Sequence, residues 1–261
     1  MNEIKIIYED NDFLIIDKPS GLLTHPRNKN DKSESVVSWL LKNRPSVKDV
    51  GEDKIRPGIV HRLDKETSGL LLIAKNQKSF EYLKGLFQKR EIKKTYIALV
   101  YGQLKNPEKS LRDLGAGKRG VIETPLGKLG TRQTTKVHGK HELKERNAIT
   151  RYKVLQEYSR PQVLNNPSYD GLFNTYSLLE IKPLTGRTHQ IRVHLKSIGH
   201  PVVCDPLYAS KKLICPPELN RLFLHAQKLS FVSPAGESLT IEVDLPPELD
   251  NFLKTLPKNI K

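Results

Sequence analysis

Short apolar runs separated by turn residues dominate the chain and predict a strand-rich protein. The stretch from Ile4 to Ile16 holds two β-rich runs split by an Asp-Asn-Asp turn, which predicts a hairpin. Other short apolar or alternating runs predict further strands at 59–60, 70–74, 93–102, 148–157 and 175–182. Residues 160–174 form a turn-rich connection to which the pattern assigns no role.

Helical periodicity is confined to a few segments. Apolar residues three and four apart predict a short helix over 35–41, with Ser33 or Ser35 as N-cap, and a longer one over 77–90. A third helix is predicted to begin at Thr188 as N-cap and to end before Gly199. Its core face would hold Ile191, Leu195 and Ile198, and another face His189, Arg192 and Lys196. A short helix is also expected in the tail after Pro246.

Composition indicates a globular protein. The 261 residues are 37% hydrophobic and 28% charged, and no apolar stretch is as long as a membrane span. The first residues lack the features of a secretory signal. We therefore expect a cytoplasmic protein with no membrane association.

Cysteine and histidine spacings give little support for a disulfide or a metal site. Cys204 and Cys215 are the two cysteines, and two unrelated thiols in a reducing compartment are the favoured interpretation. His138 and His141 are three residues apart, and solvated loop histidines are the favoured interpretation.

The charge of the chain points to a polyanionic partner. Lys and Arg total 44 against 29 Asp and Glu, a formal net charge of +15. Nucleic acid is the leading candidate, because phosphate contacts supply much of such affinity. A charge that serves only solubility is the alternative, and a membrane surface is less favoured because no basic amphipathic segment stands out.

One polar segment between two apolar runs carries the candidate chemistry. Asp64 lies among the cations His61, Arg62 and Lys65, and nearby positive charge favours an ionised carboxylate. Such a group suits a nucleophile or an electrostatic stabiliser. The alternative is a surface turn in which Asp64 is paired with Lys65 or Arg62.

The segment H-R-L-D-K-E-T-S-G-L-L-L at 61–72 resembles the signature of the RluA-type pseudouridine synthases. The resemblance implies that Asp64 is the catalytic residue. It also implies an α+β pseudouridine synthase catalytic fold, with a long, mostly antiparallel mixed sheet, flanking helices and a central cleft. The opening Y-E-D-N-D-F-L-I-I-D-K-P-S-G-L at 8–22 is similar to the first motif of that family. We therefore expect one catalytic domain over 1–261, with no separate RNA-binding module.

Further motifs of the same family assign other residues. K-T-Y-I-A-L-V-Y-G at 94–102 resembles the segment whose tyrosine, here Tyr96, lies against the target base. T-G-R-T-H-Q-I-R-V-H at 185–194 resembles the motif that supplies the arginine partner of the catalytic aspartate, assigned to Arg192 with Arg187 as second choice. C-D-P-L-Y at 204–208 has Cys204 where glycine is usual. L-F-L-H-A at 222–226 resembles the last family motif, which implies that Leu224 lines the base pocket, although core packing explains its apolar residues equally well.

The resemblance implies isomerisation of uridines in transfer or ribosomal RNA by a monomer that needs no cofactor or metal. Base extraction requires nucleotide flipping, and Arg62 is the candidate to occupy the vacated space. The residues expected to contact RNA or the base are His61, Arg62, Arg187, His189 and Leu224. Whether Asp64 attacks C1′ or C6, or assists elimination to a glycal, stays open at this level.

Two other functions are compatible with the same sequence. One is a basic RNA-binding or RNA-chaperone protein that lacks activity. The other is a glycoside hydrolase with Asp64 as nucleophile, which would require a second carboxylate as acid. Glu66 is the only nearby candidate for that acid, and it lies among cations.

Overall fold

The structure is a computed structural model that describes residues 4–104, 118–129, 132–135, 145–159 and 175–258. The chain divides into two units, the first with Met1–Lys94 and His225–Asp244, the second with Thr95–Leu224 and Leu245–Lys261. His138, His141 and the 160–174 connection lie outside the described residues. The prediction of one domain over the whole chain stays a prediction.

The strands and helices of the described residues are numbered in chain order. The strands are β1 (Lys5–Glu9), β2 (Phe13–Lys18), β3 (Ser68–Ala74), β4 (Lys93–Tyr101), β5 (Arg119–Glu123), β6 (Gly127–Leu129), β7 (Arg132–Thr134), β8 (Ile149–Ser159), β9 (Thr175–Pro183), β10 (Leu224–Val232) and β11 (Ser238–Glu242). The helices are α1 (Val36–Asn43), α2 (Gln77–Lys89), α3 (Gln190–Ser197) and α4 (Pro247–Thr255), with a 3₁₀ turn over Pro45–Asp49.

In the first unit the strand order is β1-β2-β3-β10-β11. The predicted hairpin is present as β1 and β2, which pair antiparallel, and β3 pairs parallel with β10. Every residue of β3 is buried, as expected for a strand covered on both faces. Phe80, Leu83 and Leu86 of α2 are buried too, so the predicted apolar face of this helix is confirmed.

In the second unit the strand order is β4-β9-β8-β5, and every pairing among these strands is antiparallel. The register between β8 and β9 shifts between Val154 and Gln156, so the intervening Leu155 is a bulge residue and is exposed. A core cluster of this unit includes Ile191 and Leu195 of α3 together with Leu224. The α+β class and the mixed, mostly antiparallel sheet structure are confirmed.

Several local predictions are wrong. Residues 59–60 do not form a strand, because Ile59 makes only an isolated bridge to Ile73. The N-cap of α3 is His189, not Thr188, and Ile198 is exposed because α3 ends before it. Cys204 and Cys215 are joined in a disulfide with a Cα–Cα distance of 4.6 Å. Their spacing in sequence could not show that the loop between them returns to its start.

The helix ends predicted from caps are otherwise confirmed. Ser35 is the N-cap of α1, and its side chain accepts a hydrogen bond from the Ser38 backbone N–H. Gly199 follows the last turn of α3 with φ +86°, the left-handed conformation that favours glycine after a helix. None of the helices in the described part of the chain has the length and hydropathy of a membrane span.

Candidate active site

The backbone just after Asp64 is bound by the segment that follows β2. The fully buried Lys18 donates hydrogen bonds from Nζ to the carbonyl oxygens of Pro19 (2.9 Å), Leu22 (2.8 Å) and Lys65 (3.2 Å). The Lys65 carbonyl also accepts from the Gly21 N–H at 2.8 Å. Ser20 Oγ donates to the carbonyl of Glu66 at 2.7 Å. The two residues that follow Asp64 are therefore held by the N-terminal motif.

The residue before Asp64 is held by Thr24. Its buried hydroxyl donates to the Leu63 carbonyl at 2.8 Å and accepts from the Leu63 N–H at 3.2 Å. The Thr67 N–H closes the turn by donating to the Asp64 carbonyl at 3.2 Å. Asp64 is half-buried between these fixed points, and such restraint is what a positioned reactive group requires.

His61 is not a cation in this structure. Its Nε2 accepts a hydrogen bond from the Leu72 N–H at 2.9 Å, and its ring stacks on Phe87 with centroids 4.6 Å apart. Burial, and the charge of Lys94 to a lesser extent, lowers the pKa of His61 to about 3. The neutral ring therefore ties the start of the loop to β3 and α2. A contact with RNA stays a prediction.

Arg62 is exposed and is paired with His25. Burial lowers the pKa of His25, and its Nδ1 lies 2.7 Å from the Pro26 carbonyl. That contact assigns the ring proton to Nδ1. Nε2 then accepts from Arg62 Nη1 at 3.1 Å. The predicted RNA contact Arg62 is thus oriented by a second histidine.

The end of the loop is fixed by the parallel pair of β3 and β10. Ser68 Oγ and His225 Nδ1 are 2.9 Å apart, and both residues are buried. Gly69 has φ +115° and faces Ala226, where a Cβ would lie 2.3 Å from the Ala226 carbonyl oxygen. Only glycine fits this close approach between two backbones.

In the second unit, Arg192 of α3 is fully buried in an ion pair with Asp205. Arg192 Nε donates to one carboxylate oxygen of Asp205 and Nη2 donates to the other, both at 2.8 Å. The guanidinium carbon also lies 5.3 Å from the centroid of the Tyr208 ring. The fork uses two of the five N–H groups of the guanidinium. Sequence reasoning missed Asp205 as a partner of Arg192, although the motif at 204–208 contains it.

Gln190 organises the start of α3 and was also missed. Its Oε1 accepts from Thr185 Oγ1 at 2.7 Å and from the Arg187 N–H at 3.1 Å, and its Nε2 donates to the Ile149 carbonyl at 3.0 Å. His189 adopts φ +52° as N-cap, and its Nδ1 lies 2.8 Å from Tyr208 Oη. Arg187 donates from Nε to the Asn147 carbonyl at 3.3 Å. His189 and Arg192 thus both contact Tyr208, whereas Arg187 is held by Gln190 and Asn147.

The two remaining site residues, Tyr96 and Leu224, belong to the second unit. Tyr96 is in β4, where it pairs with Ile181 of β9 and is partly buried against the core cluster. Leu224 is buried in the same cluster, so core packing accounts for it. The predicted contacts of Tyr96 and Leu224 with a base stay predictions. Among the described residues, no group of His, Cys, Asp and Glu side chains is arranged to hold a metal ion.

Comparisons with known proteins identify the family. The model of the RNA pseudouridylate synthase family matches residues 12–197. An uncharacterised RNA pseudouridine synthase of Aquifex aeolicus is 38% identical over 249 residues, covering 93% of this chain and 70% of that protein. Ribosomal large subunit pseudouridine synthase D of Nitrosomonas europaea is 36% identical over 262 residues, covering 97% of this chain and 65% of that protein.

A solved structure agrees on the fold. Human RNA pseudouridylate synthase domain containing 1 superposes with a TM-score of 0.69 at 24% identity, covering 98% of this chain and 89% of that one. The fold and the matched segments define an RNA-modifying isomerase. The chain belongs to the RNA pseudouridylate synthase family, and the resemblance to its RluA-type members is confirmed. It is an enzyme that acts on RNA.

Proposed function

We propose that the protein isomerises specific uridines of ribosomal or transfer RNA to pseudouridine, with Asp64 as the nucleophile. The observation that carries this proposal is the restraint of Asp64 from both sides, by Thr24 on Leu63 and by Lys18 on Lys65. A carboxylate held in this way enters the reaction with little reorganisation. The name of the Nitrosomonas relative favours large-subunit ribosomal RNA as the first substrate to test.

The reaction conserves all atoms of the nucleotide. The N1–C1′ bond breaks, the uracil rotates, and C5 bonds to C1′, while the proton of C5 passes to solvent and N1 takes up a proton. No electron is transferred to an acceptor, so the chemistry requires only a nucleophile, an orienting cation and a wall for the base. Asp64 attacks C1′ of the sugar or C6 of the base, or it promotes elimination to a glycal.

The roles of Arg192 and Tyr96 follow from the resemblance, and that of Arg62 from its place beside the catalytic loop. Arg192 orients the carboxylate of Asp64, a task suited to a planar guanidinium, and Tyr96 lies against the target base, because every base offers a π-face. Arg62 enters the space left by the flipped nucleotide. His61, Arg187, His189 and Leu224 complete the contacts with RNA and base. The enzyme acts as a monomer in the cytoplasm.

Two measurements test the proposal. The first maps pseudouridine at base resolution in RNA from a deletion strain, complemented by wild type or by Asp64→Asn. The second follows tritium release from RNA carrying [5-³H]uridine. Wild type restores one or a few sites and releases tritium, whereas Asp64→Asn does neither. Recovery of the sites by Asp64→Asn overturns the nucleophile assignment. Failure of wild type to change any site favours an RNA-binding protein that lacks activity.

Matched variants separate the individual roles. Glu66→Gln removes the neighbouring carboxylate that a glycoside hydrolase would need, and we expect near wild-type tritium release. Tyr96→Leu removes the stacking ring, and we expect a loss of roughly 5- to 150-fold, the factor for about 1–3 kcal/mol of base stacking. Equal activity of Tyr96→Leu and wild type would contradict the role of Tyr96.

A further inference from the structure

Asp205 follows directly after a disulfide-bonded residue with an unusual backbone conformation. Cys204 has φ +59°, a region that non-glycine residues occupy at some energetic cost. Its sulfur is bonded to Cys215, eleven positions along the chain. The resemblance places glycine at position 204 in related proteins, so this chain replaces a flexible residue with a cross-linked one.

Asp205 is the centre of a buried network. Besides the two bonds from Arg192, its Oδ1 accepts from the backbone N–H groups of Leu207 (2.9 Å) and Tyr208 (3.0 Å). The side chains of Asp205 and Arg192 are both 0% exposed. A buried ion pair is favourable only while its geometry is held. The backbone at Cys204, which carries Asp205, is therefore one of the elements that hold the Arg192 guanidinium in place.

The segment between the cysteines needs such an attachment. Residues 209–214, the last part of the loop before Cys215, contain neither helix nor strand. Besides the disulfide, this segment is attached through Leu213, which packs on the core, and through the Ile214 carbonyl, which accepts from Tyr101 Oη at 3.0 Å. Cys204 and Cys215 are only partly buried, so neither residue is enclosed in the core.

We infer that the Cys204–Cys215 disulfide is a redox-sensitive tether that positions Asp205, and through it Arg192. This inference rests on the role of Arg192 in the proposed function. A thiolate of a dithiol reductant attacks one sulfur of the disulfide and forms a mixed disulfide with it. The second thiol of the reductant then cleaves this mixed disulfide, which leaves Cys204 and Cys215 as two thiols. The reductant leaves as a disulfide, having supplied two electrons and two protons. Disulfides of proteins in reducing compartments are commonly of this transient, sensing kind.

The first experiment tests the tether itself. Lys211 and Lys212 are exposed within the loop that the disulfide closes and are sites for trypsin. We expect roughly tenfold faster cleavage there after dithiothreitol treatment, because the released segment opens more often. When the untreated protein is cleaved at these lysines, the disulfide still joins the two fragments. They should therefore separate on a gel only after reduction. Two titratable thiols in protein treated with oxidised glutathione would overturn the inference.

The second experiment reads the position of Arg192 without an activity assay. The ¹⁵Nε–H resonance of Arg192, assigned by its loss in Arg192→Lys, reports the bond to Asp205. We expect slow hydrogen exchange in the oxidised protein and exchange roughly tenfold faster in the reduced protein and in Cys215→Ser. Equal exchange in all three samples overturns the inference, whatever the substrate of the enzyme proves to be.

The third experiment connects the tether to catalysis. Reduction of wild type should lower kcat for tritium release roughly tenfold with little change in KM, because positioning of Arg192 acts on the reaction step. Cys215→Ser should show the lower kcat in both redox states, and Cys204→Gly/Cys215→Ser should recover part of it by relieving the backbone at 204. A redox-independent kcat of wild type overturns the tether. No tritium release in either state contradicts the proposed function instead, and the exchange experiment still decides on the tether.

Discussion

The ammonium group of Lys18 lies 3.2 Å from the carbonyl oxygen of Lys65, the residue that follows Asp64. Lys18 is at the end of β2 and 47 positions away in the chain, so this bond joins the first family motif to the second. A buried charge is costly unless its donors are satisfied, and here three backbone carbonyls accept from it. The lysine of the first motif thus acts on the catalytic loop through the backbone.

Lys18→Met should destabilise the protein and disorder the loop of Asp64. The variant keeps most of the buried volume but leaves three carbonyls without the ammonium donor, which should lower the free energy of unfolding by about 3 kcal/mol. Urea unfolding measures this change. The rate of tritium release should also fall, and by a larger factor than the loss of folded protein accounts for. The exposed Lys78→Met on α2 is the control and should change stability by no more than about 0.5 kcal/mol. Equal stability of the two variants would contradict this role of Lys18.

Asp205→Asn should be strongly destabilising because it leaves Arg192 as a buried charge without its counter-ion. Breaking one side of a buried pair costs about 3–5 kcal/mol, and urea unfolding measures it. Asp205→Asn/Arg192→Met should recover part of this loss, since both charges are then gone. The exposed Asp250, which pairs with Lys254 on α4, provides the control: Asp250→Asn should cost no more than about 1 kcal/mol. A double variant as unstable as Asp205→Asn would refute the argument.

Acid should destabilise the protein through His61. The pKa of His61 is about 3 in the folded chain because of burial and of Lys94, against about 6.5 when unfolded. Between these values the unfolded chain binds a proton that the folded chain does not, so the free energy of unfolding decreases as pH falls from 6.5 towards 3. Burial also lowers the pKa values of His25 and His194, which act in the same direction.

Urea unfolding from pH 7 to pH 4.5 isolates the contribution of His61. His61→Asn should reduce the slope of stability against pH by up to about 1.4 kcal/mol per pH unit, the value for one proton. The variant should also be less stable at pH 7, because it loses the stacking on Phe87. Identical slopes for wild type and variant would show that His61 titrates normally in the folded protein.

The elements that the sequence predicted correctly are those defined by local pattern. The apolar spacing of α2, the N-cap Ser35 and the glycine after α3 depend on neighbours within a few residues, and all three are confirmed. Asp64 was located by its motif, and the described contacts show how its loop is held. Local information suffices for such features because helices and turns are closed by nearby atoms.

Contacts between distant segments could not be predicted in this way. Helical periodicity grouped Arg192 with Lys196 on one face, yet Lys196 is exposed and Arg192 is fully buried. The difference arises from Asp205, thirteen positions later, which the loop after α3 brings under the helix. The disulfide of Cys204 depends on the same loop. Both contacts follow from the path of the chain after α3, which no periodic pattern encodes.

Gly69→Ala should prevent the close pairing of β3 with β10. A Cβ at Gly69 would lie 2.3 Å from the carbonyl oxygen and 2.6 Å from the nitrogen of Ala226, and neither backbone atom can move without breaking the pair of Ser68 and His225. We expect a loss of about 3 kcal/mol or more in urea unfolding, from overpacking together with the positive φ.

Gly236→Ala is the matched control for Gly69→Ala. Gly236 also has positive φ, +87°, but an added Cβ there would meet no atom within 4 Å, so only the backbone term of about 1 kcal/mol applies. The difference between the two variants is chiefly the steric term, because both glycines have positive φ. Because Gly69 lies five residues after Asp64, the first variant should also lower tritium release at temperatures where it is still folded, whereas the second should not. Similar stabilities of the two variants would show that the backbone of β10 shifts enough to accommodate a Cβ at position 69.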